Sequence, residues 1–298
     1  MKLVRYTHQG RTRLGKVVGS TVVDLSEVAG IEHSMRQLLN DLPALRARLE
    51  QASGPAVALE DVHLEAPIID PQKFLGIGMN YRKHAEEARQ AGIAIPSSQL
   101  WFNKQVSCIN GPFDPVVKPR LSEQMDYEIE LGVVIGRRCR HVRASEAQGV
   151  IAGYLIVNDL SARDWLKKSP TFTLGKSFDT HGPLGPWLTT ADEIADPMAL
   201  NMTLTVNGEC RQQATTGDMI YDIYQQIEYL SSVMTLEPGD VLATGTPSGI
   251  GAPCGCFLQP GDVMQLTIDG LGSMSHRVVA DDSADDSAGD DVAAGGAR

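Results

Sequence analysis

Glu128 and Glu130 stand one residue apart inside Asp126-Tyr127-Glu128-Ile129-Glu130-Leu131-Gly132-Val133-Val134-Ile135-Gly136, an apolar run that reads as a strand. Side chains at i and i+2 of a strand share a face, so the two carboxylates lie side by side while Tyr127, Ile129 and Leu131 face the other way. Two readings follow. The face is open to water and both acids stay hydrated, or a positive group sits between them. In the second case two hard oxygen donors suit Mg2+ or Mn2+ better than zinc. Asp159 ends another apolar run, Gly153 to Asn158, where it can cap the next turn or add a third ligand. His84 and Glu87 fall one turn apart in a helical pattern, either as part of a solvated face or as a pair in which the acid orients a general base. Lys176 and His181 share a loop bounded by glycine and proline that lacks the spacing of a Walker loop. Gly245-Thr246-Pro247-Ser248-Gly249-Ile250-Gly251 is rich in exposed backbone N–H groups and can cradle a carboxylate or phosphate.

The elements that must position these residues follow from periodicity and turn chemistry. Residues 1 to about 25 alternate around Gln9-Gly10, Gly15 and Gly19-Ser20 and predict a meander of strands. Residues 34 to 52 are helical in pattern with a break at Pro43, and the composition shifts at Ala66 to Pro71, which places a domain boundary near residue 70. Lys73 to Gly78 predicts a strand running into a helix over 80–91 with Asn80 as its N-cap. Gly76, Gly78, Gly92 and Pro96-Ser97-Ser98 flank that helix and make it a candidate lid. Trp101 to Lys104 is a short strand ending in a lysine, and Arg137 to Arg143 is a basic surface patch. Asn207-Gly208 predicts a two-residue hairpin turn. Ile220, Ile223, Ile227, Leu230 and Met234 predict a core-facing helix opened by Asp218. Strands over 241–244, 262–268 and 273–280 complete the fold, and residues 281–298 form an acidic tail of disordered composition.

Bulk composition bounds the function class. With 298 residues, 42% hydrophobic and 21% charged, the chain can bury a sizeable core. Six aspartates and one arginine in the tail account for −5 of the net charge of −11, leaving −6 on the body. An acidic body without a basic stripe argues against nucleic acid as a partner. No apolar run reaches membrane-spanning length and the N-terminus lacks the core of a signal peptide, so the cytoplasm is the expected compartment. The five cysteines, 108, 139, 210, 254 and 256, fit a reducing compartment better than a disulfide framework, and Cys254-Gly255-Cys256 reads as loop, too tight for structural zinc.

Taken in order, the motifs GxNYxxHxxE at 78–87, FxK at 102–104, DYExELGVVIG at 126–136, NDxSARD at 158–164, GKSFDTxGPxGP at 175–186 and TGTPSGIG at 244–251 resemble the fumarylacetoacetate hydrolase family. The resemblance spans about residues 71 to 280, and residues 1 to 70 look like the small extra domain of many bacterial members. It implies an α+β fold, a mixed β-roll or β-sandwich with short helices beside a small β-rich N-terminal domain, and a homodimer. It assigns Glu128, Glu130 and Asp159 as ligands of Mg2+ or Mn2+, His84 and Glu87 as the water-activating dyad, and Lys176 as the lysine near the reacting oxygen. Lys104, Arg163 and Thr246 are assigned to the substrate's surroundings. The implied activity is hydrolysis of a carbon–carbon bond in a 2,4-dioxo acid, an acylpyruvate or 2,4-diketo-3-deoxy sugar acid, through a metal-held enolate. The same site could serve a 2-hydroxyhepta-2,4-diene-1,7-dioate-type isomerase or an oxaloacetate-type decarboxylase. A non-catalytic metal-stabilised binding protein is the alternative from another class. The intact dyad and Lys176 argue against it. Leu166 stands where many members carry glutamine, which removes an amide contact and points away from the substrate that names the family.

Overall fold

The computed structural model describes residues 1–28 and 34–282. The acidic tail beyond residue 282 lies outside the described residues.

The strand Ile129–Ile135 is buried at every position and forms the axis of a mixed sheet. It pairs antiparallel with Ile151–Asn158 on one side and Val241–Ala243 on the other. Both neighbours are also buried throughout, which explains why these segments show continuous apolar runs instead of alternation. Gly132 answers a close approach: a Cβ there would come within 2.5 Å of Leu155 Cδ1 and 2.7 Å of Val157 Cγ2. Beyond Val241–Ala243 the sheet continues with Phe74–Gly78, parallel, and Leu100–Lys104, antiparallel. In the other direction Ile151–Asn158 pairs with Gly182–Thr190, which pairs with Lys2–His8.

The N-terminal meander therefore extends the central sheet as Lys2–His8, Arg11–Val18 and Thr21–Asp24, with Lys2 opposite Thr189 and Leu3 opposite Leu188. Two helices, Met35–Asn40 and Leu42–Gln51, follow, with Pro43 in the first turn of the second as its missing N–H allows. Their Leu38, Leu39, Leu45 and Leu49 share a core with Leu155, Val157 and Leu184 of the sheet. A second, five-stranded sheet contains the predicted hairpin, Asn201–Val206 and Glu209–Thr215. Its turn residues Asn207 and Gly208 have φ of 53° and 81°, the left-handed pair that the hairpin twist demands. Val263–Ile268, Gly272–Ala280 and the parallel edge strand Val116–Lys118 complete that sheet. Met202, Leu204, Met264 and Leu266 from it pack in one core with Ile129, Leu131 and Val133. The architecture is mixed α+β, as expected.

Two local expectations are overridden by tertiary bonds. Asn80 is fully buried and does not cap the helix Arg82–Gln90, whose N-cap is Tyr81. Its amide donates to the carbonyls of Tyr221 (3.0 Å) and Thr244 (2.8 Å), and its side-chain oxygen accepts from the Tyr221 N–H (2.9 Å). This clamp keeps residues 220–221 out of a helix. The helix predicted from Asp218 accordingly starts at Ile223, capped by Asp222, which accepts from the N–H groups of Tyr224 and Gln225. Asn80→Ala leaves buried backbone groups on two segments without partners and is expected to cost about 3 kcal/mol in urea unfolding. A loss under about 1 kcal/mol would show that the clamp is dispensable.

Candidate active site

The strand expected over 126–136 is interrupted, and the interruption makes the site. Met125–Asp126 pairs with Ser161–Ala162, and regular pairing resumes at Ile129. Between them the Glu128 N–H points at Asn158 Oδ1 (3.4 Å), and the Ile129 N–H donates to Gln212 Oε1 (3.0 Å). The register sets Ile129 opposite Asn158, and the Asp159 N–H donates to the Glu128 carbonyl at 2.9 Å, so the acid ending one strand meets the acids of the next. Glu128, Glu130 and Asp159 are 5%, 1% and 0% exposed, and an oxygen from each lies within 4.8 Å of the others.

Three cations, Lys104 and Lys176 buried and Arg163 partly so, accompany these acids. Lys176 Nζ lies 2.6 Å from Glu128 and 2.5 Å from Asp159; Arg163 Nη2 lies 2.6 Å from Glu128; Lys104 Nζ lies 2.7 Å from Asp159. Burial opposes ionisation of Glu128, but Lys176 and Arg163 outweigh it and hold the carboxyl well below its usual range. Burial likewise disfavours the charged form of Lys176, and Asp159 and Glu128 reverse that effect and raise it. Glu130 differs. It takes the Gly245 N–H at 2.7 Å but has no ion pair among the described residues. Its burial, then the charges of Asp159 and Glu128, push its carboxyl well above the usual range. Three hard oxygen donors with one acid left uncompensated fit a divalent cation of the Mg2+ or Mn2+ kind.

The glycine-rich loop cradles carboxylates as its composition suggested, and they are the protein's own. Gly245 donates to Glu130, Gly249 to Glu87 Oε1 (3.2 Å), and Gly251 and Ala252 to Asp126 (2.7 and 3.0 Å). Thr246 fastens the loop to the central strand, its hydroxyl donating to the Ile129 carbonyl (2.9 Å) and accepting from Gln212 Nε2 (2.9 Å). On the helix Arg82–Gln90, His84 Nδ1 meets Glu87 Oε2 at 3.2 Å, so one carboxylate oxygen orients the imidazole while the other anchors the helix to the loop.

His84, Glu87, Glu128, Glu130, Arg163, Lys176 and Thr246 all line one cavity of about 630 Å³. Lys104 lies behind that wall, fully buried against Asp159 and the Lys176 carbonyl (2.5 Å). His181, which shares the Lys176 loop, is buried at Val117, where burial pushes its imidazole down to about 3. Two residues central to the site carried no role in the sequence reading. Asp126 is fully buried, accepting from the loop and from Arg163 Nε (2.8 Å), and its i−2 spacing from Glu128 was the available signal. Gln212 bridges the central strand to Thr246 and Pro247 from a hairpin of polar alternation, where nothing local marks it. Cys254 and Cys256, read as loop, form a disulfide across Gly255; the bond closes a single turn and joins no distant elements. Cys108, Cys139 and Cys210 are free thiols.

Residues 73–279 match the model described as fumarylacetoacetate (FAA) hydrolase C-terminal, and residues 1–67 match that described as Rv2993c-like, N-terminal. A Burkholderia cenocepacia protein named as a candidate hydrolase is 41% identical over 278 residues, 91% of this chain and 96% of its own length. Maleylpyruvate hydrolase from Sphingobium sp. SYK-6, solved with manganese(II) and pyruvate, superposes with a TM-score of 0.81 at 35% identity, covering 94% of this chain and 99% of that one. The 2-hydroxyhepta-2,4-diene-1,7-dioate isomerase from Mycobacterium marinum superposes with a TM-score of 0.77 at 32% identity, covering 95% and 99%. With its motif residues gathered around one cavity and residues 73–279 matched by the family's model, the chain belongs to the fumarylacetoacetate hydrolase family.

Proposed function

We propose that the protein is a divalent-metal-dependent hydrolase that cleaves the carbon–carbon bond of a 2,4-dioxo acid of the acylpyruvate kind. The observation that carries this reading is the buried carboxylate cluster facing the His84–Glu87 pair across one cavity. Glu128, Glu130 and Asp159 would hold Mg2+ or Mn2+, which when bound supplies Lewis-acid stabilisation of negative charge developing on the substrate's oxygens. Glu87 engages Nδ1 of His84, which leaves Nε2 to take a proton from water. The resulting hydroxide adds to the acyl carbonyl. The bond to the neighbouring methylene carbon breaks, and that carbon receives the proton carried by His84. The Lys176 ammonium stabilises oxyanion charge, Arg163 sits beside it on the cavity wall, and Thr246 holds the loop that completes that wall. Lys104 acts at one remove, by positioning Asp159 and the Lys176 backbone.

The helix Arg82–Gln90 would work as a lid, since its acid–base pair is useful only when it reaches the substrate, and Glu87 tethers it to the loop by one hydrogen bond. Isomerisation or decarboxylation at the same site needs the ionic cluster but no activated water. The division into residues 1–70, 71–280 and the tail is supported by family matches that change over between residues 67 and 73. Among the described residues no helix is long and apolar enough to cross a membrane, and the acidic body argues against nucleic acid as a partner; the cytoplasm is the compartment that the sequence favours.

Glu130→Gln should abolish metal-dependent turnover and lower Mn2+ affinity at least about a hundredfold while the protein stays folded. Full activity of this variant after chelation would refute the ligand assignment. His84→Ala should slow acylpyruvate hydrolysis about a hundredfold or more and oxaloacetate decarboxylation far less, with Mn2+ affinity unchanged. Equal losses on both substrates would remove the dyad from water activation. Light scattering should return twice the chain mass for the expected homodimer, and a monomer at every concentration would contradict it.

A further inference from the structure

The cavity lining is mixed. Besides the ionic cluster it includes Ile93, Leu100, Leu166, Phe172, Ile250 and Phe257, contributed by three separate stretches of chain, 93–100, 166–172 and 250–257. Apolar character gathered from three stretches is a property of the pocket and not the by-product of a single amphipathic element. Two of these side chains are held by local structure. Leu166 packs directly on the short helix Thr173–Lys176, where a Cβ on Gly175 would come 2.6 Å from both the Leu166 N and Cδ2. Phe172 precedes that helix with φ of 59°, a left-handed conformation uncommon for a bulky residue, and its ring meets Phe102 edge-on at 6.2 Å. An observed outlier of this kind next to Lys176 is a pointer to function. Beyond the ionic cluster and the His84–Glu87 pair, the charged side chain lining the cavity is Lys167, which is exposed.

A pyruvyl group engaging the ionic cluster would occupy a minor part of about 630 Å³, leaving room against the apolar side chains for the other half of the substrate. We propose that this acyl half is apolar, an alkyl or aryl group seated against Leu166, Phe172 and Phe257, and that a carboxylate-terminated acyl chain is discriminated against. The proposal deepens the acylpyruvate reading and rests on it. In the balanced reaction R–CO–CH2–CO–COO− plus water gives R–COOH plus CH3–CO–COO−. The hydroxyl of water bonds to the acyl carbon, the bond from that carbon to the methylene breaks, and the methylene carbon takes the remaining proton. R keeps its bonds throughout, so its recognition is a matter of burial. Each methylene moved from water onto such a wall favours binding about fourfold. A carboxylate carried onto these apolar side chains would shed its hydration, and the cations of the ionic cluster that line the cavity, Arg163 and Lys176, are already paired with Glu128.

The test uses the full-length Mn2+-loaded protein and compares kcat/KM for acetyl-, pentanoyl-, benzoyl- and succinylpyruvate. Pentanoyl- and benzoylpyruvate are expected to exceed acetylpyruvate at least tenfold and succinylpyruvate at least tenfold. Leu166→Lys should shift the pentanoyl-to-succinyl ratio at least tenfold toward succinyl, with Mn2+ affinity measured alongside to separate a changed wall from a lost fold. Succinylpyruvate matching or exceeding pentanoylpyruvate would overturn the proposal, and loss of that preference in Lys167→Ala would assign tail recognition to Lys167. If none of the four acylpyruvates is hydrolysed, the hydrolase reading fails by itself. The subsite is then judged by calorimetry with 2-oxopropanoate, 2-oxohexanoate and 2-oxoadipate. Tightest binding of 2-oxohexanoate upholds the apolar wall, and tightest binding of 2-oxoadipate refutes it.

Discussion

Four carboxylates, Asp126, Glu128, Glu130 and Asp159, are buried where two adjacent strands end, and much of the surrounding structure serves to keep them ionisable there. A carboxylate taken from water into a protein interior costs several kcal/mol unless charge or hydrogen bonds replace its hydration. The replacement here is divided. Lys104, Lys176 and Arg163 cover Asp126, Glu128 and Asp159, while backbone N–H groups of residues 245 to 252 serve Glu130 and Asp126. Four acids against three cations leave one acid without a positive partner, and it is Glu130, whose charged form is the least favoured. A divalent cation would supply the positive charge that lets this carboxyl ionise.

The loop 244–251 translates this electrostatic requirement into architecture. Its N–H groups reach a central-strand acid, Glu87 on the helix Arg82–Gln90 and the acid that orients Arg163. Thr246 and Gln212 tie the same loop to the strand carrying Glu128 and Glu130. One segment therefore couples the acid cluster, the His84–Glu87 pair and Arg163, and Asn80 clamps it at Thr244 to the start of the helix that bears His84. A change in loop position would be felt at both the ionic cluster and that pair.

What could be read from sequence was whatever depends on short-range spacing. The i, i+2 parity of Glu128 and Glu130, the acid ending an apolar strand at Asp159, the i, i+3 pair of His84 and Glu87 and the Asn207-Gly208 hairpin each appear in the structure with the geometry the spacing implies. The glycine loop was legible as a set of donors, but its acceptors come from residues more than a hundred positions away. Long-range bonds also explain the failures. Asn80 has every local qualification of an N-cap and spends its amide on Tyr221 and Thr244 instead, and Gln212 looks like any polar residue of an exposed hairpin. Lys104 was readable as a lysine ending a strand, but its place behind the acid cluster depends on a fold that sets it against Asp159.

The central claim is that the buried acid cluster is completed by one divalent cation. Titrating Mn2+ into chelator-treated protein, while following both the bound ion and the unfolding temperature, tests it without reference to any substrate. The account predicts one Mn2+ per chain and an unfolding temperature that climbs with the logarithm of Mn2+ concentration above the dissociation constant. An unfolding temperature indifferent to Mn2+ and Mg2+, with no ion retained on dialysis, would contradict it.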